Sequence, residues 1–266
     1  MNVYACILFA LFLVTANSLK AQDGNSLRQR YADLGDRLTS NQFQRPLVLE
    51  SNRTDNHLSG SIFSITDHSF FSVKQALHSV DSWCDILILH LNVKHCKVTP
   101  LQGNSGLSLA IGKRHDQPLN QAYPLNFAYQ VAANTPDYLK IQLNANDGPF
   151  GTKSYRIQLQ ATSLDQQRSI LQMSYSCGYG LIARVAMNTY LATMGRSKVG
   201  FTIVNRQPNG EPVYIRSMLG LVERNTMRYY LAIDAYLNAH SLPVAKRMER
   251  RLSNWYEGTE RYATQL

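Results

Sequence analysis

The 266-residue sequence predicts an α+β fold: a curved antiparallel sheet of about six to seven strands wrapped on a long apolar helix, with a C-terminal hairpin and two-helix extension. Three observations point to it. Between about residues 89 and 179, apolar and polar residues alternate in run after run with turn residues between them, the pattern of a sheet with one buried face. Directly afterwards, LIARVAMNTYLATMG is apolar on nearly every side and stops at Gly195, as a helix buried all round does. Finally, 44% of the residues are hydrophobic and 10% aromatic, enough to bury a substantial core.

The chain opens with MNVYACILFALFLVTANSLKA, whose apolar run from Val3 to Val14 is shorter than the roughly 20 residues a membrane-crossing helix needs. It reads as a secretory leader over residues 1–21, with Ala16 or Ala21 as cleavage points, although no Lys or Arg precedes the run. An uncleaved anchor is the alternative. The expectation is an exported protein, periplasmic if bacterial and otherwise secreted. The formal net charge of +9 then fits contact with anionic lipid, glycan or membrane surface better than nucleic acid, and it serves solubility equally well.

Residues 22–57 form an N-terminal helix and lead-in. Leu27, Tyr31, Leu34 and Leu38 recur at i, i+4, i+7 and i+11, the stripe of an amphipathic helix packed on the outside. Arg45 to Asp67 reads as one or two strands. Asp67 or Ser69 then caps a helix carrying Phe70, Val73, Leu77 and Val80, and Asp81 or Ser82 starts a second short turn with Trp83 and Cys84. From Leu89 the period becomes two, with Leu89, Leu91 and Val93 on one face.

The sheet continues through Leu107 to Ile111 and through Leu125, Phe127, Tyr129 and Val131. Leu139, Ile141, Leu143 and Ala145 follow, then an Asp147-Gly148-Pro149 turn, then Tyr155, Ile157, Leu159 and Ala161, and last Leu171, Met173, Tyr175, Cys177 and Tyr179. After Gly195, KVGFTIV, NRQPNG and EPVYIRSMLGLV read as a hairpin, followed by helices at about 225–240 and 243–256, the second marked by Ser241 and Pro243. No repeat or linker divides the mature chain, so the core is placed at 58–195 and an extension packed on it at 196–266.

Candidate chemistry is sparse. Beyond the leader three cysteines remain, and Cys84 and Cys96 are the nearest pair. They either bridge or stay free thiols, because spacing alone does not set their Cα separation. His78, His90 and His95 with these cysteines lack metal-ligand spacing, so no metal and no cofactor is expected. Cys177, on the apolar side of its strand, is inert core, and no nucleophile elbow or HExxH helix is present. Asn52-Arg53-Thr54 fits a glycosylation sequon.

Two cationic features stand out. Arg184 interrupts the apolar helix, and a buried guanidinium needs an anionic partner, either Glu223 or Asp234 or the acidic head group of a ligand. In AKRMERRLSNWYEGTERY, Val244, Met248, Leu252 and Trp255 share a face ringed by Lys246, Arg247, Arg250 and Arg251. Such a helix lies on an anionic membrane or packs on its own domain, the simpler reading.

The order strand, helix, short helix, six strands and long apolar helix over about 58–195 resembles the helix-grip fold of the START-like (SRPBCC) superfamily, and DHSFFSVKQALHSVDSWCDIL is similar to that superfamily's segment after its first strand. The resemblance implies a cavity for a lipid-like molecule between sheet and helix. Here it would be lined by Phe127, Tyr129, Leu143, Leu159, Met173 and Tyr175, with Arg184 and Met187 from the helix and Trp83 closing the corner. The implied function is an exported hydrophobic-ligand binding or carrier protein. The alternatives are a cavity enzyme of the cyclase or hydrolase kind using Tyr129, Tyr175 and Arg184, or a non-catalytic envelope interaction protein.

Overall fold

The computed structural model describes residues 24–101, 104–112 and 117–266; the expected leader lies outside these residues. The alternating runs form one antiparallel sheet of eight strands: β1 (Leu47–Arg53), β2 (His57–Thr66), β3 (Val93–Leu101), β4 (Asn104–Ile111), β5 (Tyr123–Asn134), β6 (Tyr138–Asp147), β7 (Thr152–Ser163) and β8 (Ser169–Tyr179). Their order is β1-β2-β8-β7-β6-β5-β4-β3. The register places the expected inward residues side by side, Ile141 opposite Leu159, Leu143 opposite Ile157 and Leu159 opposite Met173, so cross-strand apolar pairs build the inner face. The sheet starts at Leu47, ahead of the expected core boundary at 58, because the lead-in supplies a complete hairpin partner for β2.

The N-terminal helix, α1 (residues 24–34), packs on the outer face, where Leu27, Leu34 and Leu38 join Val48, Phe63, Tyr138 and Ile170 in a second, smaller apolar cluster. On the inner side, α2 (Phe70–Leu77) is capped by the Ser69 hydroxyl, which accepts from the Ser72 amide. Ser79 caps α3 (Val80–Leu87) in the same way. Trp83 is buried, and its indole N–H donates to the Leu77 carbonyl at 3.0 Å, which locks the two helices together. The strand expected from Leu89 begins at Val93, since residues 88–92 close α3 and turn the chain. That turn leaves Leu91 exposed and His90 buried. Cys84 of α3 and Cys96 of β3 form a disulfide with Cα atoms 5.3 Å apart, bracing this corner.

The helix held by the sheet is a correction to the sequence reading. The apolar segment after β8 forms α4 (Leu181–Ala192), in which Ala183 alone is buried while Leu181, Ile182 and Val185 are 74%, 80% and 57% exposed. The inner face is covered instead by α5 (Ser217–His240), buried along nearly its whole length. Residues 218–222, read as the end of a hairpin strand, are the first turns of this helix. The hairpin itself is shorter, β9 (Ile203–Arg206) with β10 (Pro212–Tyr214).

The helix expected at about 225–240 is therefore longer and buried under the sheet, and the partners of its charged groups explain that burial. Glu223 accepts from the Phe201 and Thr202 amides, the Thr202 hydroxyl and the Ser51 hydroxyl, at 2.6–2.9 Å. Asp234 takes a bidentate contact from Arg45 at 3.1–3.2 Å. Gly60 in β2 allows the close approach, because a Cβ there would overlap the Thr226 hydroxyl of α5.

The last helix, α6 (Val244–Glu260), packs along α5 through Arg251 and Trp255. Arg251 pairs with Asp85 at 2.8 Å and lies 4.4 Å from the Tyr236 ring centroid. Val244, Met248 and Leu252, expected to share a face with Trp255, stay exposed together with Tyr256.

Candidate functional site

The inner face divides into a sealed part and a looser part. Leu139, Ile141, Leu143 and Leu159 are 0% exposed, and Phe127 and Met173 are 1% exposed. Of the expected cavity residues, Phe127, Leu143, Leu159 and Met173 are thus buried in the core. Toward the ends of β7 and β8 the packing loosens. There Tyr155, Met187, Leu191 and Tyr229 are only partly buried against the core.

This looser end is built by four elements. β7 and β8 present Tyr155 and Tyr175, whose ring centroids are 6.2 Å apart. α5 presents Tyr229, 5.3 Å from Tyr175, and the turn after α3 lays His90 on Tyr229 at 4.6 Å. α4 spans from the Pro149–Gly151 turn to α5 over the end of β8, with Met187 and Leu191 facing inward and Leu181, Ile182 and Val185 facing out.

Burial sets the protonation of the wall. It pushes the Tyr155 phenol up to about 12 and the Tyr175 and Tyr229 phenols above their ordinary value, so all three stay neutral donors. Burial also pushes up the Cys177 thiol, leaving it protonated and a poor nucleophile. His90 accepts the Asn92 amide on Nδ1 at 3.3 Å, which puts its proton on Nε2, and Nε2 is buried without a partner among the described residues. Burial, with nearby Arg228 adding to it, pushes His90 down to about 3.

The same end carries cations that the sequence reading did not single out. Arg224 and Arg228 lie four residues apart on α5, 4% and 5% exposed, each with a buried Nε that lacks a partner among the described residues. Arg228 donates to the main-chain oxygen of Leu266 at 3.0 Å and reaches Asn225 at 3.5 Å. Burial lowers both guanidinium pKa values, that of Arg228 to about 10, and Arg224 lowers Arg228 further. Half-buried Lys198 is lowered by burial and by both arginines. The signal was in the sequence, since neither arginine has an acidic residue three or four positions away to pair with.

The remaining expected site residues are distributed elsewhere. Arg184 is not in the sheet's grip: it donates to the Asp55 carbonyl in the β1–β2 turn and lies 5.8 Å from the Tyr179 ring centroid, while Glu223 and Asp234 serve other partners. The Tyr129 hydroxyl donates to the His78 carbonyl at 2.6 Å. The three residues of the enzymatic alternative, Tyr129, Tyr175 and Arg184, are therefore tied to different elements. Among the described residues no three His, Cys, Asp or Glu side chains converge as a metal group. A groove of about 650 Å³ opens on the outer face at the ends of β5 and β6, lined by Tyr123, Asn126, Asn144 and Asp147 among others. Its walls are mixed, with Leu101, Pro124 and Ala128 beside the polar groups, and its Gly148–Pro149 end adjoins Tyr155.

No protein-family model matches the chain, and no curated protein matches it. Among solved structures it is similar to truncated norcoclaurine synthase from Thalictrum flavum, with 11% identity and a TM-score of 0.37 over 55% of this chain and 93% of that one. A START superfamily protein from Mycobacterium smegmatis aligns with 12% identity and a TM-score of 0.34 over 53% and 92%. A conserved protein of unknown function from Enterococcus faecalis aligns with 8% identity and a TM-score of 0.37 over 83% and 95%. At these values the helix-grip assignment stands on strand order, register and the helix laid across the inner face.

Proposed function

We propose that this protein binds a hydrophobic small molecule, lipid-like in character, at the end of the grip where α4 spans from the Pro149–Gly151 turn to α5. The observation that carries the reading is α4 itself: an apolar helix laid over a loosely packed aromatic wall, with Leu181, Ile182 and Val185 left in water. A soluble surface helix gains nothing by exposing such residues, whereas a helix at the mouth of an apolar site offers the ligand its first contact. Export, to the periplasm or outside the cell, is supported by the Cys84–Cys96 disulfide, which persists where thiols are not kept reduced. Contact with an anionic membrane is supported by α6, whose exposed Val244, Met248, Leu252 and Tyr256 run beside Lys246 and Arg250. A carrier would load or deliver from that surface. Native mass spectrometry after gentle purification, paired with solvent extraction, tests the proposal. The expected result is a stoichiometric hydrophobic adduct; protein that is adduct-free and takes up no added lipid would contradict it.

A further inference from the structure

The α5 arginines are unexplained by the fold. Every other buried charge on that helix has partners: Glu223 holds four donors and Asp234 holds Arg45. Arg224 makes no hydrogen bond among the described residues, and Arg228 has only Leu266 and Asn225. No acidic side chain among the described residues pairs with Arg224, Arg228 or Lys198. Arg224 has no counter-charge among the described residues, and the Leu266 and Asn225 oxygens leave the Arg228 Nε unmet; burying two guanidinium groups so sparsely partnered next to each other opposes folding. Replacing them with apolar residues of similar volume would relieve that cost, so a structural role does not account for them. They also flank the aromatic wall, since Tyr229 follows Arg228 directly and the unpaired Nε2–H of His90, stacked on Tyr229, belongs to the same neighbourhood. The neighbourhood is made of donors.

We propose that Arg224, Arg228 and Lys198 form the seat of an oxyanion, the acidic head group of the hydrophobic ligand, whose apolar part lies against Tyr175, Tyr229 and Met187. The proposal rests on the hydrophobic-ligand reading for the tail and on the unpaired cations for the head. Guanidinium groups suit this task because their planar forks match phosphate or carboxylate oxygens two at a time. Lys198, half-buried on the loop after α4, adds a third cation near the two arginines.

Three probes separate the parts: dodecyl phosphate, dodecanol and inorganic phosphate, titrated calorimetrically into the full chain. Dodecyl phosphate is expected to bind at least about tenfold more tightly than dodecanol, and Arg224→Met and Arg228→Met are each expected to cost it about tenfold while leaving dodecanol within about twofold. Arg224→Met should melt no lower than the parent without ligand, because it removes an unpaired buried charge, whereas Arg228→Met also gives up the contacts to Leu266 and Asn225. Arg224→Lys keeps the charge and serves should a methionine variant not fold; it is expected to retain part of the preference for dodecyl phosphate. Equal binding of dodecanol and dodecyl phosphate overturns the oxyanion seat and leaves the hydrophobic site standing. Inorganic phosphate binding as tightly as dodecyl phosphate, and only with Arg224 present, supports the seat and counts against the hydrophobic tail. Loss of every probe equally in the variants, with lower melting, assigns the arginines to structure and overturns the proposal.

Discussion

Helices α4 and α5 invert what their compositions suggest. LIARVAMNTYLA, with a single charge, lies largely in water, while SMLGLVERNTMRYYLAIDAYLNAH, with four charged residues, fills the sheet. The difference teaches that a helix is buried when its polar groups find partners and its small residues fit the surface opposite, and average apolarity decides neither. α5 meets both conditions through Glu223, Asp234 and the approach at Gly60. α4 follows β8 with Leu181, Ile182 and Val185 of its outer face uncovered among the described residues.

The largest break in this contrast should come from Glu223→Ala. Two buried amides and two hydroxyls would lose their acceptor, and denaturant unfolding should show a loss of about 3–5 kcal/mol. A loss under 1 kcal/mol would mean that α5 is not pinned as described. An effect of intermediate size is expected from pH. His90 has a folded-state pKa lowered to about 3 against about 6.5 unfolded, so the unfolded chain binds the extra proton. The stability this group contributes is fully present above about pH 6.5 and is lost as pH falls toward 3, at up to about 1.4 kcal/mol per pH unit. His90→Phe keeps a ring on Tyr229 and should flatten that slope. Subtracting the variant's profile from the parent's isolates His90 from the other groups that titrate there, Asp165 and His240 among them. Identical acid profiles would place His90 in water. The smallest effect on stability should come from Ile182→Ser with Val185→Ser on α4, within about 0.5 kcal/mol. The same pair should weaken uptake of a neutral hydrophobic dye such as Nile red severalfold, and unchanged uptake would remove α4 from the mouth.

The sheet was legible because period two survives in every strand from Leu107 to Tyr179, and each inward set, such as Leu139, Ile141 and Leu143, is buried. The turn at 88–92 was not, since Leu89, Leu91 and Val93 alternate as a strand would and only the end of α3 converts them into a turn. The Cys84–Cys96 bridge stayed open in the sequence because it depends on where α3 and β3 meet. The site was half legible. Tyr175 and Met187 belong to its neighbourhood, whereas Arg184, the conspicuous cation in an apolar run, is tied to the β1–β2 turn. Arg224 and Arg228 carry no such mark in the sequence, because the burial of a charged helix depends on partners distant in the chain.

Hydrogen–deuterium exchange followed peptide by peptide tests the central claim most directly, because backbone protection reports which helix the sheet encloses. The amides of 217–240 should exchange among the slowest in the chain and those of 181–192 among the fastest, with protection of 181–192 rising when dodecyl phosphate is added. Slow exchange in 181–192 together with fast exchange in 217–240 would contradict the account, and would return the gripped position to the helix that the sequence first suggested.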